Sequence, residues 1–183
     1  MIASRKVSVF LLGNRYLIFD IDDGRYIYGL GFFGQPTYVK KPKDTSFASP
    51  VELSPYEALY LYEKGIIRVI KDNAELSLHE IREINKKLIE DFEDSYLVYR
   101  DLREKGFVVR SGLKFGGTFV VYEHGPGIDH APFIVHVLPT KGFTAIDAVR
   151  AGRLANTVRK AFVLAAIDEQ KRIKYYIFTW FKV

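Results

Sequence analysis

The sequence has no cysteine among its 183 residues. This absence excludes disulfide bonds, thiolate nucleophiles and zinc sites built on cysteine, and it fits a reducing compartment. The sequence also lacks any run that approaches the roughly 18 consecutive apolar residues of a membrane-spanning helix. Its amino-terminal segment predicts a first strand and shows no cleavage-type signal. We therefore expect a soluble protein of the cytoplasm that has no membrane partner.

Motifs of several common enzyme classes are missing as well. No GxGxxG follows a predicted strand and no P-loop sequence occurs, so neither type of phosphate-binding loop is indicated. HExxH and GxSxG are absent, which argues against a zinc protease and an α/β-hydrolase. No Asp/Glu-x-Lys tripeptide lies in a predicted strand, although a metal-dependent nuclease of the restriction-enzyme type needs one.

The sequence does contain an excess of positive charge and many aromatic side chains. The formal net charge is +5 and the pI is about 9.2. A basic excess favours polyanionic partners, but charge alone is better explained by a solvated surface rich in lysine. Aromatic residues make up 15% of the chain, and 12 residues are Tyr. Most must lie in the core, and their number leaves room for stacking on bases or for a buried interface.

Apolar alternation predicts three strands at the start of the chain. They cover residues 7–12, 15–20 and 25–33, and Asn-Arg and Asp-Asp-Gly turns between them predict a small antiparallel meander. The segment 36–50 that follows is rich in Pro, Lys and Ser and predicts a loop. Such a loop is ordinarily only solvated, but in a nucleic-acid-binding protein three of its residues could contact phosphate: Lys40, Lys41 and Lys43.

Two capping boxes predict helices in the next part of the chain. Ser54-Pro-Tyr-Glu57 begins a helix that ends at Gly65, and Ser77-Leu-His-Glu80 begins another that ends near Glu90. A short strand at 66–70 lies between them. We place a domain boundary here, which gives a small amino-terminal α/β domain over 1–90 and a second domain over 91–183.

The second domain begins with a helix from about Phe92 to Lys105. Five strands and a further helix follow, so we predict a mixed central sheet flanked by helices and an α/β (α+β) fold class overall. The segment 158–167 is almost continuously apolar, which is typical of a central strand covered on both faces. The predicted strands are 107–113, 117–123, 132–138 and 158–167, with a last strand from 173 to the end and the helix from Thr144 to about Leu154.

Three of the four histidines lie in VYEHGPGIDHAPFIVHVL (121–138). Tyr122 ends a predicted strand, and His130 follows a Gly-Pro-Gly turn, so a hairpin-like return can bring both to one rim. Alone, each has an ordinary explanation, because strand-end tyrosines are often amphipathic and loop histidines are often solvated. Lys160 begins a buried apolar strand, where a cation needs a partner. Phenol, imidazole and ammonium together suit acid–base cleavage of a phosphodiester that uses the substrate's own 2′-hydroxyl.

Two segments resemble a known family. GLKFGGTFVVYEHGPGIDHAPFIVHV (112–137) and GRLANTVRKAFVLAAID (152–168) are similar to the catalytic domain of the tRNA-splicing (tRNA-intron) endonucleases, over roughly 92–183. The resemblance implies a restriction-endonuclease-like nuclease domain with Tyr122 as general base, His130 as general acid and Lys160 as the stabilising cation. It implies precursor tRNA with a bulge–helix–bulge as substrate, 2′,3′-cyclic phosphate and 5′-hydroxyl products, and no metal or cofactor.

The same resemblance implies further contacts. Arg153 matches a family arginine that clamps a flipped bulge base, and Trp180 is the candidate second jaw; the alternative for Arg153 is a cation at a helix carboxyl end. Asp168 and Glu169 match an acidic loop that docks on a neighbouring subunit, or else they form an ordinary turn. The apolar last strand is expected to pair across a dimer interface.

The loop 36–50 resembles an insertion in the catalytic subunits of crenarchaeal enzymes of this family. We therefore expect an archaeal catalytic subunit in a heterotetramer with a structural subunit, with a homotetramer as the alternative. Two rival functions remain open at this point. The chain could be a non-catalytic subunit that docks RNA, although it retains Tyr122, His130 and Lys160, or it could be a metal-dependent DNA nuclease.

Overall fold

The chain forms two compact units, Met1–Glu90 and Asp91–Val183. Each unit contains its own mixed β-sheet. No helix of the described part of the chain is long and apolar enough to cross a membrane. The computed structural model describes residues 6–39, 42, 44–113, 117–128, 133–138, 144, 146, 149, 153 and 161–178.

The amino-terminal unit has a six-stranded sheet in the order β3-β4-β2-β1-β5-β6. Strand β1 pairs antiparallel with β2 and parallel with β5, so the sheet is mixed. The elements in chain order are β1 (Val7–Leu12), β2 (Arg15–Ile18), α1 (Ile21–Gly29), β3 (Gln35–Pro36), β4 (Val51–Leu53), α2 (Pro55–Glu63), β5 (Ile67–Lys71), β6 (Ala74–Glu75) and α3 (Leu78–Leu88).

The strand predicted at 25–33 is wrong, because most of this segment belongs to helix α1. The side chain of Asp20 accepts a hydrogen bond from the Asp23 N–H at 2.8 Å, so the acidic cluster caps a helix and does not form a hairpin turn. Two carboxylates in the first turn also suit the helix dipole. The predicted meander is replaced by a β1–β2 hairpin, and the other neighbour of β1 is the distant strand β5.

Both predicted capping boxes are confirmed. Ser54 and Ser77 cap α2 and α3, and in each helix the glutamate at the third position bonds back to the serine N–H. Glu57 has a second partner, because its other carboxylate oxygen accepts the Gly34 N–H at 2.9 Å. This buried glutamate therefore ties the segment before β3 to the start of α2.

A buried polar network joins β2, α2 and α3. The Tyr16 hydroxyl donates to Asn85 Oδ1 at 2.6 Å, and Asn85 Nδ2 donates to the Pro55 carbonyl at 3.1 Å. Both side chains are fully buried, and burial raises the pKa of Tyr16 well above its usual value. Three elements are thus held by groups that have no access to water.

The carboxy-terminal unit has a five-stranded sheet in the order β11-β10-β9-β8-β7. Among the described strands of this sheet, only β9 and β10 pair in parallel. Residues 162–165 of β10 are all buried, which confirms the predicted central strand covered on both faces. The elements are α4 (Phe92–Glu104), β7 (Val108–Ser111), β8 (Phe119–Tyr122), β9 (Phe133–Leu138), β10 (Ala161–Ile167) and β11 (Ile173–Phe178).

Helix α4 packs on this sheet through aromatic rings. Phe92 and Tyr96 stack with centroids 5.8 Å apart, and Tyr99 lies 5.8 Å from Phe119 of β8. The helix predicted from Thr144 lies largely outside the described residues, of which Ile146, Val149 and Arg153 are helical. The mixed α/β fold class predicted from the sequence is confirmed.

Replacement of Asn85 by Ala is expected to destabilise the amino-terminal unit. The change leaves the buried Tyr16 hydroxyl and the Pro55 carbonyl without their partner, which costs about 1–3 kcal/mol. Urea unfolding followed by circular dichroism measures this loss. Lys87→Ala, at an exposed position of the same helix, is the control and should stay within about 0.5 kcal/mol of wild type. Equal stabilities of the two variants would contradict the role of the network.

Candidate active site

The candidate site lies along one edge of the carboxy-terminal sheet. This edge is formed by the end of β8 and the beginnings of β9 and β10. Val121, the penultimate residue of β8, pairs with Phe133, the first residue of β9. Phe133 in turn pairs with Ala161, the first residue of β10. Because β8 runs antiparallel to β9 and β10 runs parallel to it, the end of β8 and the starts of β9 and β10 share this edge.

In the sequence, each of the three predicted catalytic residues is at this edge or within three positions of a strand residue that forms it. Tyr122 is the last residue of β8, whereas His130 and Lys160 lie outside the described residues. In the sequence His130 precedes Phe133 by three positions, and Lys160 immediately precedes Ala161. The described strands therefore bring Tyr122 and the two chain segments next to His130 and Lys160 to one edge.

The segment that leaves Tyr122 turns sharply. The Ile128 N–H donates to the Gly125 carbonyl at 3.2 Å, with Pro126 and Gly127 at the centre of the turn. Gly127 has a φ of 92°, which suits the third position of a type II turn after proline. Tyr122 is half-buried and His124 is exposed. The predicted Gly-Pro-Gly turn is present, and it redirects the chain immediately after the candidate base.

Two glycines of the GLKFGG segment allow the β7–β8 connection to pass close to the sheet. A Cβ atom on Gly112 would lie 2.6 Å from the backbone of Phe119, and one on Gly117 would lie 2.3 Å from the side chain of Ile134. The first contact would require displacement of the β8 backbone, and the second would require a shift of the Ile134 side chain or of the backbone. This motif therefore has a structural cause, which is the packing of the hairpin whose second strand ends at Tyr122.

His136, the third histidine of the segment, packs in β9 away from this edge. It is half-buried, and its ring centroid lies 6.4 Å from that of Phe162. Its position in mid-strand, opposite Leu164 of β10, fits the interpretation of a packed histidine and keeps it apart from the candidate base.

The predicted RNA-binding residues are only partly described. Arg153 is helical and exposed, as a residue that contacts a ligand must be. Trp180, Lys40, Lys41 and Lys43 lie outside the described residues. Among the residues that the structure describes, no three His, Asp or Glu side chains come together as a possible metal site.

Asp168 organises the β10–β11 hairpin. Its carboxylate accepts hydrogen bonds from the backbone of Gln170 at 3.0 Å and of Arg172 at 2.9 Å. Arg172 Nε also donates to it at 2.8 Å. These bonds, first that from the Arg172 backbone, lower the pKa of Asp168 below its usual value. Asp168 therefore has a local role in the turn, while Glu169 is exposed.

A groove of about 350 Å³ lies between α4 and β11. Its wall includes Asp101, which accepts a hydrogen bond from Tyr175 at 2.6 Å; burial, then Asp101, raises the pKa of this tyrosine. Ile173, also in the wall, pairs with the last residue of β10. The groove therefore includes residues at the end of the sheet opposite to Tyr122, and no motif in the sequence points to it.

Two family profiles together match most of the chain. One, described as tRNA intron endonuclease, N-terminal domain, matches residues 7–82. The other, described as tRNA intron endonuclease, catalytic C-terminal domain, matches residues 92–175. The second match includes Tyr122, His130 and Lys160, and it ends before Trp180.

Curated relatives of similar length also match. The chain is 42% identical over 179 residues to a tRNA-splicing endonuclease of Hyperthermus butylicus, which covers 96% of this chain and 99% of that protein. It is 41% identical over 181 residues to a tRNA-splicing endonuclease of Saccharolobus islandicus, covering 97% and 100%. A tRNA-splicing endonuclease of Saccharolobus solfataricus is 40% identical over 181 residues, with the same coverage.

The hairpin predicts a difference between two neighbouring acidic residues. Asp168→Ala should lower the free energy of unfolding at pH 7, because three hydrogen bonds are lost, whereas Glu169→Ala should not. Since the folded-state pKa of Asp168 is lowered, its stabilisation is complete above the ordinary carboxyl pKa of about 4. It is lost as the pH falls through the lowered value. Urea unfolding at pH 7 and in acid measures both effects, and equal losses in the two variants would contradict this role.

Proposed function

The chain belongs to the tRNA intron endonuclease family, and from this premise we propose that it excises introns from precursor tRNA at bulge–helix–bulge splice sites. The reaction leaves a 2′,3′-cyclic phosphate and a 5′-hydroxyl and requires neither a metal nor a cofactor. The lack of cysteine favours a reducing compartment, and we place the enzyme in the cytoplasm.

One observation carries the proposal, namely the register Val121–Phe133–Ala161 across β8, β9 and β10. Neighbouring strands lie about 4.8 Å apart, so the strands that end at Tyr122 and begin after Lys160 are separated by about 10 Å. Side chains as long as Tyr and Lys can span such a gap from both sides and meet at one phosphate.

The proposed reaction proceeds by in-line attack within the RNA. Tyr122 accepts the proton of the 2′-hydroxyl, and the freed oxygen forms a bond to phosphorus. His130 donates a proton to the 5′-oxygen as the bond between that oxygen and phosphorus breaks. Lys160 stabilises the additional negative charge of the phosphorane. A nearby ammonium group also favours the phenolate form of a phenol, so Lys160 supports Tyr122 as the base.

Substrate binding is assigned to residues outside this trio. Arg153 and Trp180 clamp a bulge base, and Lys40, Lys41 and Lys43 contact the RNA backbone. The exposure of Arg153 supports the first assignment. The positive net charge of +5 supports the second.

We assign the chain to the catalytic subunit of a heterotetramer with a structural subunit, with a homotetramer as the alternative. The described part of β11 pairs only with β10, and Tyr176 and Ile177 expose 52% and 68% of their surface. An apolar edge strand of this kind needs a covering partner. Glu169, exposed at the adjacent hairpin, and Asp168 are proposed to contact a neighbouring subunit.

Replacement of each residue of the trio tests the mechanism. Tyr122→Phe, His130→Ala and Lys160→Ala should each lower single-turnover cleavage of a bulge–helix–bulge RNA by about 10²–10⁴-fold, because a proton transfer or charge stabilisation is lost. RNA affinity should remain within a few-fold of wild type. Controls are Tyr26→Phe, His79→Ala and Lys64→Ala, at exposed positions. A trio variant that cleaves at the wild-type rate would remove that residue from the mechanism.

The same assay, run in EDTA with and without a structural subunit, tests the function itself. Cleavage in EDTA with cyclic phosphate ends is the expected result, and native mass measured on the same samples gives the assembly. Absence of cleavage in every mixture would favour a subunit that only docks RNA. Cleavage of DNA that depends on magnesium would favour a metal-dependent nuclease.

The proposed phosphate contacts predict a change in salt dependence. Conversion of Lys40, Lys41 and Lys43 to Gln should reduce the slope of log affinity against log salt by about 2, since each phosphate contact contributes about 0.7–0.9. The control converts three exposed lysines elsewhere in the same unit, Lys64, Lys71 and Lys87. The two triple variants carry the same net charge. Equal slopes would therefore indicate that the segment 36–50 is only a solvated loop.

A further inference from the structure

Residues 36–39 form a tight turn directly after β3, and Tyr38 occupies its third position. The Val39 N–H donates to the Pro36 carbonyl at 3.4 Å, and Tyr38 has a φ of 69°. The third position of a type II turn requires a positive φ and is normally taken by Gly or Asn. A bulky aromatic residue with this backbone conformation is an outlier that costs conformational energy.

The surrounding residues force this conformation on the chain. The Thr37 N–H donates to the Pro50 carbonyl at 2.8 Å, which joins the two ends of the loop 37–50. Gln35 Nε2 donates to the Val39 carbonyl and, at 3.4 Å, to the Pro36 carbonyl, so one side chain closes the turn from within. The turn is thus fixed at several points, and the direction of the Tyr38 Cα–Cβ bond is fixed with it.

The ring of Tyr38 gains no compensation from burial, since the residue is 99% exposed. Two other tyrosines of the same unit, in contrast, stabilise the fold. Tyr16 and Tyr28 are 0% and 2% exposed, and their hydroxyl groups donate hydrogen bonds. A strained backbone that presents a fully exposed aromatic ring has no stabilising role in the fold. Such combinations persist where the side chain contacts a ligand.

The charge of the segment that follows Tyr38 indicates which class of ligand its ring contacts. In the sequence, three lysines follow Tyr38 within five positions. An exposed aromatic ring beside a basic segment is the arrangement that binds unpaired nucleotides, with bases on the ring and phosphates on the cations.

We propose that Tyr38 stacks on an unpaired nucleobase of the RNA substrate and thereby contributes to binding of unpaired strands over fully paired ones. The proposal rests on the proposed RNA-cleaving function and adds to it a binding residue in the amino-terminal unit. Tyr38 takes no part in the chemical step. Its loss should therefore raise the Kd for RNA and leave the cleavage rate of saturated enzyme unchanged.

The turn geometry allows a test in which stability and binding move in opposite directions. Tyr38→Asn removes the ring and places a residue that tolerates a positive φ at the strained position, so its melting temperature should equal or exceed that of wild type. Its Kd for a bulged RNA should rise about tenfold, within the range of base–aromatic stacking. Tyr38→Phe, which keeps the ring, should bind as wild type. Tyr26→Asn, at an exposed tyrosine of helix α1, is the control and should leave the Kd unchanged.

A fluorescent base reports stacking directly. With 2-aminopurine at successive unpaired positions of the RNA, wild type and Tyr38→Phe should quench one position, and Tyr38→Asn should not. Affinity for a fully paired RNA of equal length should be the same for all variants. Equal Kd values of wild type and Tyr38→Asn for bulged RNA, with normal cleavage by wild type, would overturn this inference alone. A changed native mass in Tyr38→Asn would assign the ring to a protein contact instead, and failure of wild type to bind RNA would overturn both proposals.

Discussion

The parallel pairing of β9 with β10 is the constraint on which the candidate site depends. Parallel neighbours begin at the same edge of a sheet, and β8, antiparallel to β9, ends there. A shift of one residue in either register would move every side chain of that strand to the other face. Burial on both faces of β10 makes such a shift costly, so the packing of the core also fixes the strand ends next to the proposed catalytic residues.

This arrangement explains why the proposed catalytic residues stand at strand ends. Phe162 is buried one position after Ala161, so a cation could not be placed further along β10 without the loss of its hydration. Tyr122 is the last and only half-buried residue of β8, after three buried ones. Tyr122 thus lies where the chain leaves the apolar interior, and in the sequence Lys160 directly precedes the residue at which β10 begins.

Local sequence signals predicted the helices whose capping residues lie close together in the sequence. They failed for segments whose structure depends on contacts with residues far away in the sequence. Ser54 and Ser77 announce their helices because the capping box is complete within four residues. The aromatic and β-branched content of the segment 25–33 is typical of a strand. Most of the segment is helical instead, because Asp20 caps α1 and β1 pairs with the distant strand β5. Asn85 could not be recognised as a core residue, because its partners are 69 and 30 positions away. The candidate catalytic residues were predicted from the spacing of motifs. Such spacing gives the order of residues along the chain but not the distances between their side chains.

Tyr38 shows how a structure can reveal a contact that sequence patterns conceal. In the sequence it is one of 12 tyrosines, and nothing distinguishes it from the other residues of the predicted loop 36–50. The structure separates it by two independent quantities, a φ of 69° and an exposed fraction of 99%. Strain alone could reflect a constraint of the fold, and exposure alone is common on protein surfaces. Together they describe a strained residue whose ring is exposed to solvent, and this combination is the basis for the proposal that the ring contacts a ligand.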